Sequence, residues 1–345
     1  MTLYLPSGYV DFPAIYSRGF TWNWLTGGRA IGKTFGCLEE HLHINPRIFL
    51  YIRRTAKQYQ AVKSKDFSPL NPIAKMYNEE YKYEDVPHED LTRIYRVLGD
   101  DKKELVGYMS ALSTFYNVRG LNADVVQDII YDEFVPEPHA RPIKKECFAL
   151  LNLYETVNRN RELQGEPAVR FTGLSNSDSL ANPYFIDLGL MKYYGRMIET
   201  GREFTDLRDR DTLLINFKNS PISIQKKETA LYRMAGEKSE YAKMAIENEF
   251  NNDDFAYVQS YNLKPFTPVC AIGNIGIFCN RDNSLFYVTS TIPKSVKCYQ
   301  AFGAEARQFR ARFAFLKMAY LNGKVRFETY TEKVAFEAFF DFVQR

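Results

Sequence analysis

Apolar runs of strand length alternate with helix-like stretches along the N-terminal part of the chain. The strand-like runs are Phe20–Thr26, Arg47–Ile52, Val125–Tyr131 and Val169–Leu174. Helical patterns lie between them, notably in Thr34–Leu42 and Pro142–Glu162. Alternation of this kind is typical of a mainly parallel sheet covered by helices. We therefore predict an α/β domain over residues 1–205.

The pattern changes after this domain. Residues Asp206–Phe250 are charged, and their second half favours helix without any strong strand-like run. We predict a helical linker or small subdomain over residues 206–255.

Strand signals return after Ala256. The runs FTPVCAIGNIGIFC and LFYVTSTI flank a turn at Asn280–Ser284, which predicts a β-hairpin or meander. A helix is predicted over Ala304–Leu321, followed by a strand in KVRFETY and a last helix over Lys333–Val343. The apolar face of the first of these helices consists of Phe309, Phe313, Leu316 and Tyr320. Residues 256–345 are thus predicted to form a smaller α+β domain.

Composition narrows the class of protein. With 345 residues the chain exceeds the usual size of one hydrophobic core. A hydrophobic fraction of 45% with 15% aromatic residues excludes a disordered or fibrous chain. No apolar stretch is long enough to span a bilayer, so no membrane partner is predicted. The five cysteines form no CxxC pair, which argues against a disulfide framework and a zinc site and favours a reducing compartment.

Positive charge is concentrated near the C-terminus. Residues 256–345 contain 12 Lys and Arg against 6 Asp and Glu, although the net charge of the whole chain is only +3. This surplus is compatible with a polyanionic partner, and equally with an ordinary solvated basic surface.

A phosphate-binding loop follows the first strand-like run. Its pattern, GxxxxGK[ST], is formed by Gly27, Gly28, Arg29, Ala30, Ile31, Gly32, Lys33 and Thr34. The glycines allow backbone N–H groups to turn toward phosphates, and a helix is predicted to begin at its end. Lys33 is expected to reach the β- and γ-phosphates, and the Thr34 hydroxyl to bind Mg²⁺.

Two acids end a later apolar strand. Asp132 and Glu133 follow Ile129–Tyr131, where phosphoryl-transfer chemistry requires carboxylates beside a phosphate-binding loop. We assign Asp132 to Mg²⁺ and Glu133 to activation of the attacking water. The Asp-Glu order, without guanine-reading motifs, favours ATP over GTP as the substrate.

Three further residues are candidates for contact with the γ-phosphate. Arg159 closes a Leu-rich helix, where an arginine either complements the helix dipole or reaches a neighbouring subunit's phosphate. Arg119 lies in the loop before the Asp-Glu strand and is a second candidate of the same kind. Asn176 follows the fourth strand and either contacts the γ-phosphate or closes a turn.

These residues together resemble a known family. The segments that carry the resemblance are GGRAIGKT, FLYIRR, IIYDEF, LLNLYETVNRNRE, LSNS and NPYF, in this order. They resemble the DNA-packaging ATPases of phi29-like podophages, relatives of the large terminase motors, from about Thr21 to Phe185. A weaker similarity reaches LNGKVRFE near the C-terminus.

The resemblance implies a P-loop NTPase fold of the RecA-like class and roles for particular residues. Arg159 falls at the position of a trans-acting arginine finger. Arg119 falls where the family has a basic residue also implicated in trans. Arg53, Arg54 and Lys57 fall near a strand end associated with DNA contact or nucleotide sensing. The cofactors implied are ATP and Mg²⁺.

The resemblance also implies partners. It suggests a homo-oligomeric ring, a pentamer in this family, that moves double-stranded DNA through the portal of a procapsid in the host cytoplasm. Some members of the family use a structural packaging RNA as well. In the larger terminases the second domain is an RNase H-like nuclease, so the resemblance implies a fold of this kind for the C-terminal domain. We expect this fold to be vestigial and without nuclease activity, because its first strand region, Phe266–Cys279, contains no acid. The domain would then serve as a nucleic-acid-binding or docking module.

Two other classes of function are compatible with the motifs. One is a nucleotide-switched P-loop module that translocates nothing, and the other is a RecA-like helicase. A switch should not form closed rings, and linear double-stranded DNA should not stimulate its ATP hydrolysis. A helicase should prefer single strands.

Overall fold

The computed structural model describes residues 2–64, 66–99, 102–118, 120–136, 143–176, 182–218, 220–226, 229–235, 257–282 and 284–340. These residues divide into two compact units. The first unit takes its described residues from 2–136, 143–176 and 203–235, and the second from 182–202 and 257–340. Within the described ranges no helix is both long and apolar enough to cross a bilayer.

The first unit is built on a mixed sheet. Its strands are β1 Trp22–Gly27, β2 Phe49–Arg53, β3 Tyr81–Asp85, β4 Leu91–Gly99, β5 Lys102–Ala111, β6 Asp128–Asp132, β7 Arg170–Ser175, β8 Phe204–Leu207 and β9 Thr212–Phe217. Their order across the sheet is β3-β4-β5-β2-β6-β7-β1-β9-β8. The strands from β5 to β9 in that order are parallel, and β3, β4 and β8 add antiparallel edges. The central strands β2 and β6 are buried along their whole length, as in a sheet covered on both faces.

Helices follow most of the strands. They are α1 Phe12–Tyr16, α2 Lys33–Glu39, α3 Ala56–Lys63, α4 Asn71–Tyr77, α5 Glu146–Asn158, α6 Pro183–Asp187, α7 Met191–Thr200, α8 Pro221–Lys226, α9 Ala230–Ala235, α10 Gly303–Arg312, α11 Ala314–Leu321 and α12 Tyr330–Phe339. A π-helical turn, Glu40–Ile44, continues α2 directly. Helices α6, α7 and α10 to α12 belong to the second unit.

The predicted α/β class with a mainly parallel sheet is confirmed. All four predicted N-terminal strands are present as β1, β2, β6 and β7, with ends shifted by one to three residues. Strands β3, β4 and β5 were not predicted. The polar and aromatic residues of β3 and β4 resemble a surface more than a core strand.

The predicted boundaries 1–205, 206–255 and 256–345 require two corrections. Residues 212–217, predicted as part of a helical linker, form β9, which pairs with β1 beside the phosphate-binding loop. Residues 182–202, predicted as part of the first domain, belong to the second unit. A short, fully buried strand such as β9 carries little periodicity, so its place in the sheet depends on tertiary pairing. Residues 236–255, in the rest of the predicted linker, lie outside the described part of the chain.

The second unit has a sheet of its own. Its strands are β10 Thr267–Ile272, β11 Ile275–Cys279, β12 Phe286–Thr289, β13 Cys298–Tyr299 and β14 Val325–Phe327, in the order β13-β10-β11-β12-β14. The first three form the predicted antiparallel meander, and β13 runs parallel to β10. The helix predicted over Ala304–Leu321 is two helices, α10 and α11, which meet at Phe313.

Helix α12 begins three residues before its predicted start. Thr329 and Glu332 form a capping box in which each side chain bonds the other residue's backbone N–H, and this fixes the N-terminus. Helix α7 approaches α12 closely at Gly195, where an added Cβ would lie 1.9 Å from the Thr331 hydroxyl. A larger residue at position 195 would therefore separate the two helices.

A buried charge cluster lies at the start of β6. Asp128 accepts a hydrogen bond from Arg170, lies 3.0 Å from the Nε atom of Arg47, and lies 3.5 Å from Nε2 of His41. His41 Nδ1 lies 2.6 Å from the carbonyl oxygen of Cys37, so this nitrogen carries the proton. A neutral His41 ring would then turn a lone pair toward the carboxylate.

Protonation of His41 removes this conflict. Burial alone would lower the pKa of His41, but the Asp128 carboxylate raises it to about 10. Burial would raise the pKa of Asp128, but His41, Arg170 and Arg47 hold it below its usual value. Since the folded pKa of His41 exceeds the ordinary value of about 6.5, its stabilisation is complete below about pH 6.5. It is lost as the pH rises through about 10.

We expect Asp128→Asn to lower the free energy of unfolding by about 3 kcal/mol, because the buried His41 and two partly exposed arginines, Arg47 and Arg170, lose their counter-charge. Urea denaturation at pH 6 measures this loss, and the loss should shrink as the pH rises through about 10, where His41 loses its proton. Glu84→Gln is the control, since it breaks a half-exposed pair with Lys103 that is worth under about 1 kcal/mol. Equal effects of the two substitutions would contradict the role of the cluster.

Candidate functional site

The predicted phosphate-binding loop joins β1 to α2. The Lys33 side chain is the first of α2 and is buried, with 8% of its surface exposed. Its Nζ atom donates hydrogen bonds of 2.8 Å to the carbonyl of Gly27 and 2.6 Å to the carbonyl of Gly28. The ammonium group is therefore held inside the loop, where a phosphate oxygen would replace carbonyl partners.

Glycine is required at two points of this loop. Gly32 has a φ of 89°, and a Cβ atom there would lie 3.0 Å from the Tyr9 ring. A Cβ atom on Gly27 would lie 2.8 Å from the Ile31 side chain. A side chain at either position would collide with these neighbours, so the two glycines fix the shape of the loop.

Asp132 brings three other side chains together at the end of β6. The Thr34 hydroxyl donates to Oδ1 of Asp132 over 3.1 Å. The Tyr51 hydroxyl donates to Oδ2 over 2.5 Å, and Nη1 of Arg53 donates to the same oxygen over 2.9 Å. Carboxylate and hydroxyl oxygens are the ligands that Mg²⁺ prefers, so Thr34 and Asp132 fit this ion.

Glu133 follows Asp132 with an unusual backbone. Its φ is 57°, a left-handed conformation that costs a residue with a side chain roughly 1–2 kcal/mol. This turn directs the carboxylate away from the strand, and 48% of the side chain is exposed. Strained backbone of this kind is common where a residue has a functional role.

Arg53 links the two acids. Its Nη2 atom forms an ion pair with Glu133 while Nη1 bonds Asp132, and its side chain is only 9% exposed. Burial would lower the pKa of Arg53, but Tyr51, Asp132 and Glu133 raise it further above its usual value. The guanidinium is thus permanently charged and fixes both carboxylates.

The neighbouring strand β7 adds polar groups to the same edge. Asn176 Oδ1 accepts a hydrogen bond of 3.3 Å from Nζ of Lys33. The hydroxyl of Ser175 accepts one of 3.2 Å from the backbone N–H of Val135. Because β1, β2, β6 and β7 are parallel neighbours, their carboxyl ends meet here.

The structure brings five of the predicted site residues into one connected group. These residues are Lys33, Thr34, Asp132, Glu133 and Asn176. Of the remaining loop residues, Arg29 and Ala30 are exposed and Ile31 is buried. Arg119 lies outside the described residues.

The three predicted nucleic-acid residues differ in exposure. Arg53 and Arg54 are buried and ion-paired, with Asp132 and Glu133 and with Glu146 respectively. Neither guanidinium is presented at the surface, so direct contact with a nucleic acid does not fit this arrangement. Lys57 is exposed on α3, and for this residue the prediction stands.

Arg159 is the residue that caps the C-terminus of α5 and does not belong to the strand ends that carry the other candidate site residues. Its side chain is 54% exposed, and Nη1 lies 3.3 Å from Oδ1 of Asp124, which is itself 77% exposed. The backbone of Arg159 is left-handed, with a φ of 48°, and caps the helix. Its guanidinium is therefore on the surface of the first unit.

Sequence reasoning did not identify Tyr51, Tyr9 or Glu146. Tyr51 is two residues before Arg53 on a strand, so both side chains point to the same face and reach Asp132. That spacing was a usable signal. Nothing local in the sequence places Tyr9 against Gly32 or Glu146 against Arg54.

Comparison with known proteins gives one family and several relatives. The family described as "Podovirus DNA encapsidation protein (Gp16)" matches residues 7–341. A DNA packaging protein of Bacillus phage B103 is 26% identical over 324 residues, covering 89% of this chain and 92% of that protein. A DNA packaging protein of Bacillus phage PZA is 26% identical over 337 residues, covering 92% of each. A solved structure of the bacteriophage Phi-29 viral genome packaging motor assembly shares the fold, with a TM-score of 0.62, 21% identity and full coverage of both chains.

Proposed function

Because the chain belongs to the podovirus DNA encapsidation protein family, we propose that it is an ATP-hydrolysing motor that drives double-stranded DNA into a procapsid. The observation that carries the proposal is the connected group of Lys33, Thr34, Asp132 and Glu133 at one sheet edge. The active form is a homo-oligomeric ring, a pentamer, docked on the portal.

The loop and Lys33 bind the phosphates in this proposal. Lys33 exchanges the carbonyls of Gly27 and Gly28 for β- and γ-phosphate oxygens, and loop N–H groups supply further donors. Mg²⁺ held by Thr34 and Asp132 would neutralise charge on the same phosphates. Asn176, already bonded to Lys33, lies where it would sense the γ-phosphate.

Glu133 orients and polarises the attacking water. Its ion pair with Arg53 competes with this task, because a carboxylate that accepts a guanidinium is a weaker base. Hydrolysis therefore requires Glu133 to leave Arg53, while Asp132 keeps its own bond to the guanidinium.

Arg159 supplies charge to the site of a neighbouring subunit. Among the described residues its exposed guanidinium forms a surface ion pair with Asp124, and such pairs are worth under about 1 kcal/mol. A phosphate with several negative charges competes easily with one solvated carboxylate. Arg119, by the same family resemblance, has a related role.

The second unit binds nucleic acid or docks the motor in our proposal, without cleaving DNA. Its basic surplus suits phosphate contacts, which a motor needs because it must move any sequence. No acid lies on β10, the first strand of the unit. A structural packaging RNA would also offer phosphates to this basic surface.

We expect double-stranded DNA to stimulate ATP hydrolysis by the assembled protein, and Lys33→Ala to abolish it. Phosphate release measured with and without linear DNA tests the first point, and a gel of the recovered DNA should show it uncut. Stronger stimulation by single strands would favour a helicase, and no stimulation a nucleotide switch. Nicking lost on substitution of one acid after Ala256 would contradict the absence of nuclease activity.

We expect Glu133→Gln to lower turnover about 10²-fold or more while ATP affinity stays near normal, since only water activation is lost. Equilibrium binding of a fluorescent ATP analogue and steady-state hydrolysis separate the two quantities. If affinity fell with turnover unchanged per bound nucleotide, Glu133 would have a structural role and another acid would be the base.

We expect a mixture of Arg159→Ala and Lys33→Ala proteins to recover part of the ATP hydrolysis that each lacks alone. An intact arginine of the Lys33→Ala subunit then faces an intact phosphate-binding loop of the Arg159→Ala subunit. Recovery should rise with protein concentration, because the composite site exists only in the oligomer. No recovery at any ratio, with subunit exchange verified, would place Arg159 in its own subunit's site.

A further inference from the structure

A buried ion pair joins the end of β2 to the first turn of α5. Arg54 follows β2, and Glu146 is the first residue of α5. Nε of Arg54 lies 2.6 Å from Oε1 of Glu146, and Nη2 lies 2.7 Å from Oε2. Both side chains are at most 3% exposed. Two parallel charge-assisted bonds fix the orientation of the helix relative to the strand end as well as their separation.

Stability alone is a weak reason for this pair. Removal of two charges from water is costly, and apolar side chains of similar volume often hold two elements together equally well. What the charged pair adds is a defined geometry. It acts beside the nucleotide site, because the preceding residue is Arg53, which contacts both Asp132 and Glu133. A displacement of the end of β2 would therefore shift Asp132, Glu133 and α5 as well.

Helix α5 carries that geometry to Arg159. Its 13 residues form a rod about 20 Å long that begins at Glu146. The turn at its other end is fixed on both sides of Arg159. Asn158 Oδ1 accepts a bond of 2.8 Å from Val169 N–H, and Nη2 of the buried Arg161 donates one of 2.7 Å to the Ala123 carbonyl. The backbone of Arg159 thus has little freedom relative to the helix.

We propose that Arg54 and Glu146 are positioning residues for the Arg159 that a subunit offers to its neighbour. The pair couples the position of Arg159 to the end of β2. A shift of the Arg53–Glu133 contact in one nucleotide site is therefore accompanied by a shift of the Arg159 that enters the neighbouring site. This inference rests on the proposed function, in which Arg159 acts across a subunit boundary. Neither residue touches the nucleotide; both act through α5.

The test uses a variant that removes both charges. Glu146→Gln alone leaves Arg54 buried without a counter-ion, which endangers the fold. Arg54→Met combined with Glu146→Leu replaces the pair by apolar side chains and should retain the fold, as circular dichroism and thermal unfolding would verify. Should it unfold, Arg54→Lys takes its place, because lysine keeps the charge but cannot form two parallel bonds.

The variant is placed in either member of the mixed oligomer described above. In the Lys33→Ala subunit it affects the chain that supplies Arg159, and we expect the recovered ATP turnover to fall about tenfold or more. In the Arg159→Ala subunit it affects the chain that supplies the phosphate-binding loop, and we expect little change. ATP-analogue affinity should stay constant in both cases.

An equal loss of recovered ATP turnover in the two placements would overturn the proposal, because a merely structural pair would affect both subunits alike. No loss of turnover in either placement would also overturn it. The matched control is Arg18→Met with Asp206→Leu, which removes another two-bond ion pair of the first unit and should show no dependence on placement. If the parent mixture recovers no activity before the substitutions are added, the trans role of Arg159 has failed instead.

Discussion

The first unit depends on β6, a strand with a buried aspartate at each end. Asp128 and Asp132 are four residues apart, which separates them by about 13 Å along a fully buried strand. Asp132 bonds Thr34 at the start of α2, and Asp128 attracts His41 in the turn that continues α2. The helix that follows the phosphate-binding loop is thus fastened at both ends to the same strand.

This arrangement places cations next to the acids at both ends of β6. At one end Arg47, Arg170 and His41 compensate a single carboxylate, and at the other Arg53 is shared by Asp132 and Glu133. The two ends differ in exposure. Asp128 is 1% exposed, whereas Glu133 is half exposed and held in a strained turn.

The motifs of the candidate site could be recognised in the sequence, whereas the ion pairs around them could not. A phosphate-binding loop and an Asp-Glu strand end are local patterns, and parallel strands bring them to one edge whatever the rest of the chain does. The family resemblance placed Arg53 and Arg54 near a strand end associated with DNA contact or nucleotide sensing. Their carboxylate partners come from β6 and α5, far away in sequence, and these partners bury both cations.

The sequence by itself determined the α/β class, the four central strands and the residues of the phosphate-binding loop. Each of these is encoded within a few consecutive residues, by the spacing of apolar residues, by the positions of glycines or by an acid at the end of a strand. The tertiary structure decided that 212–217 pairs with β1, that 182–202 joins the second unit and that Glu146 meets Arg54. These outcomes depend on which distant groups can neutralise a buried charge or complete a sheet. In the unfolded chain water satisfies charges and backbone groups, so the need for such partners arises only when folding buries them.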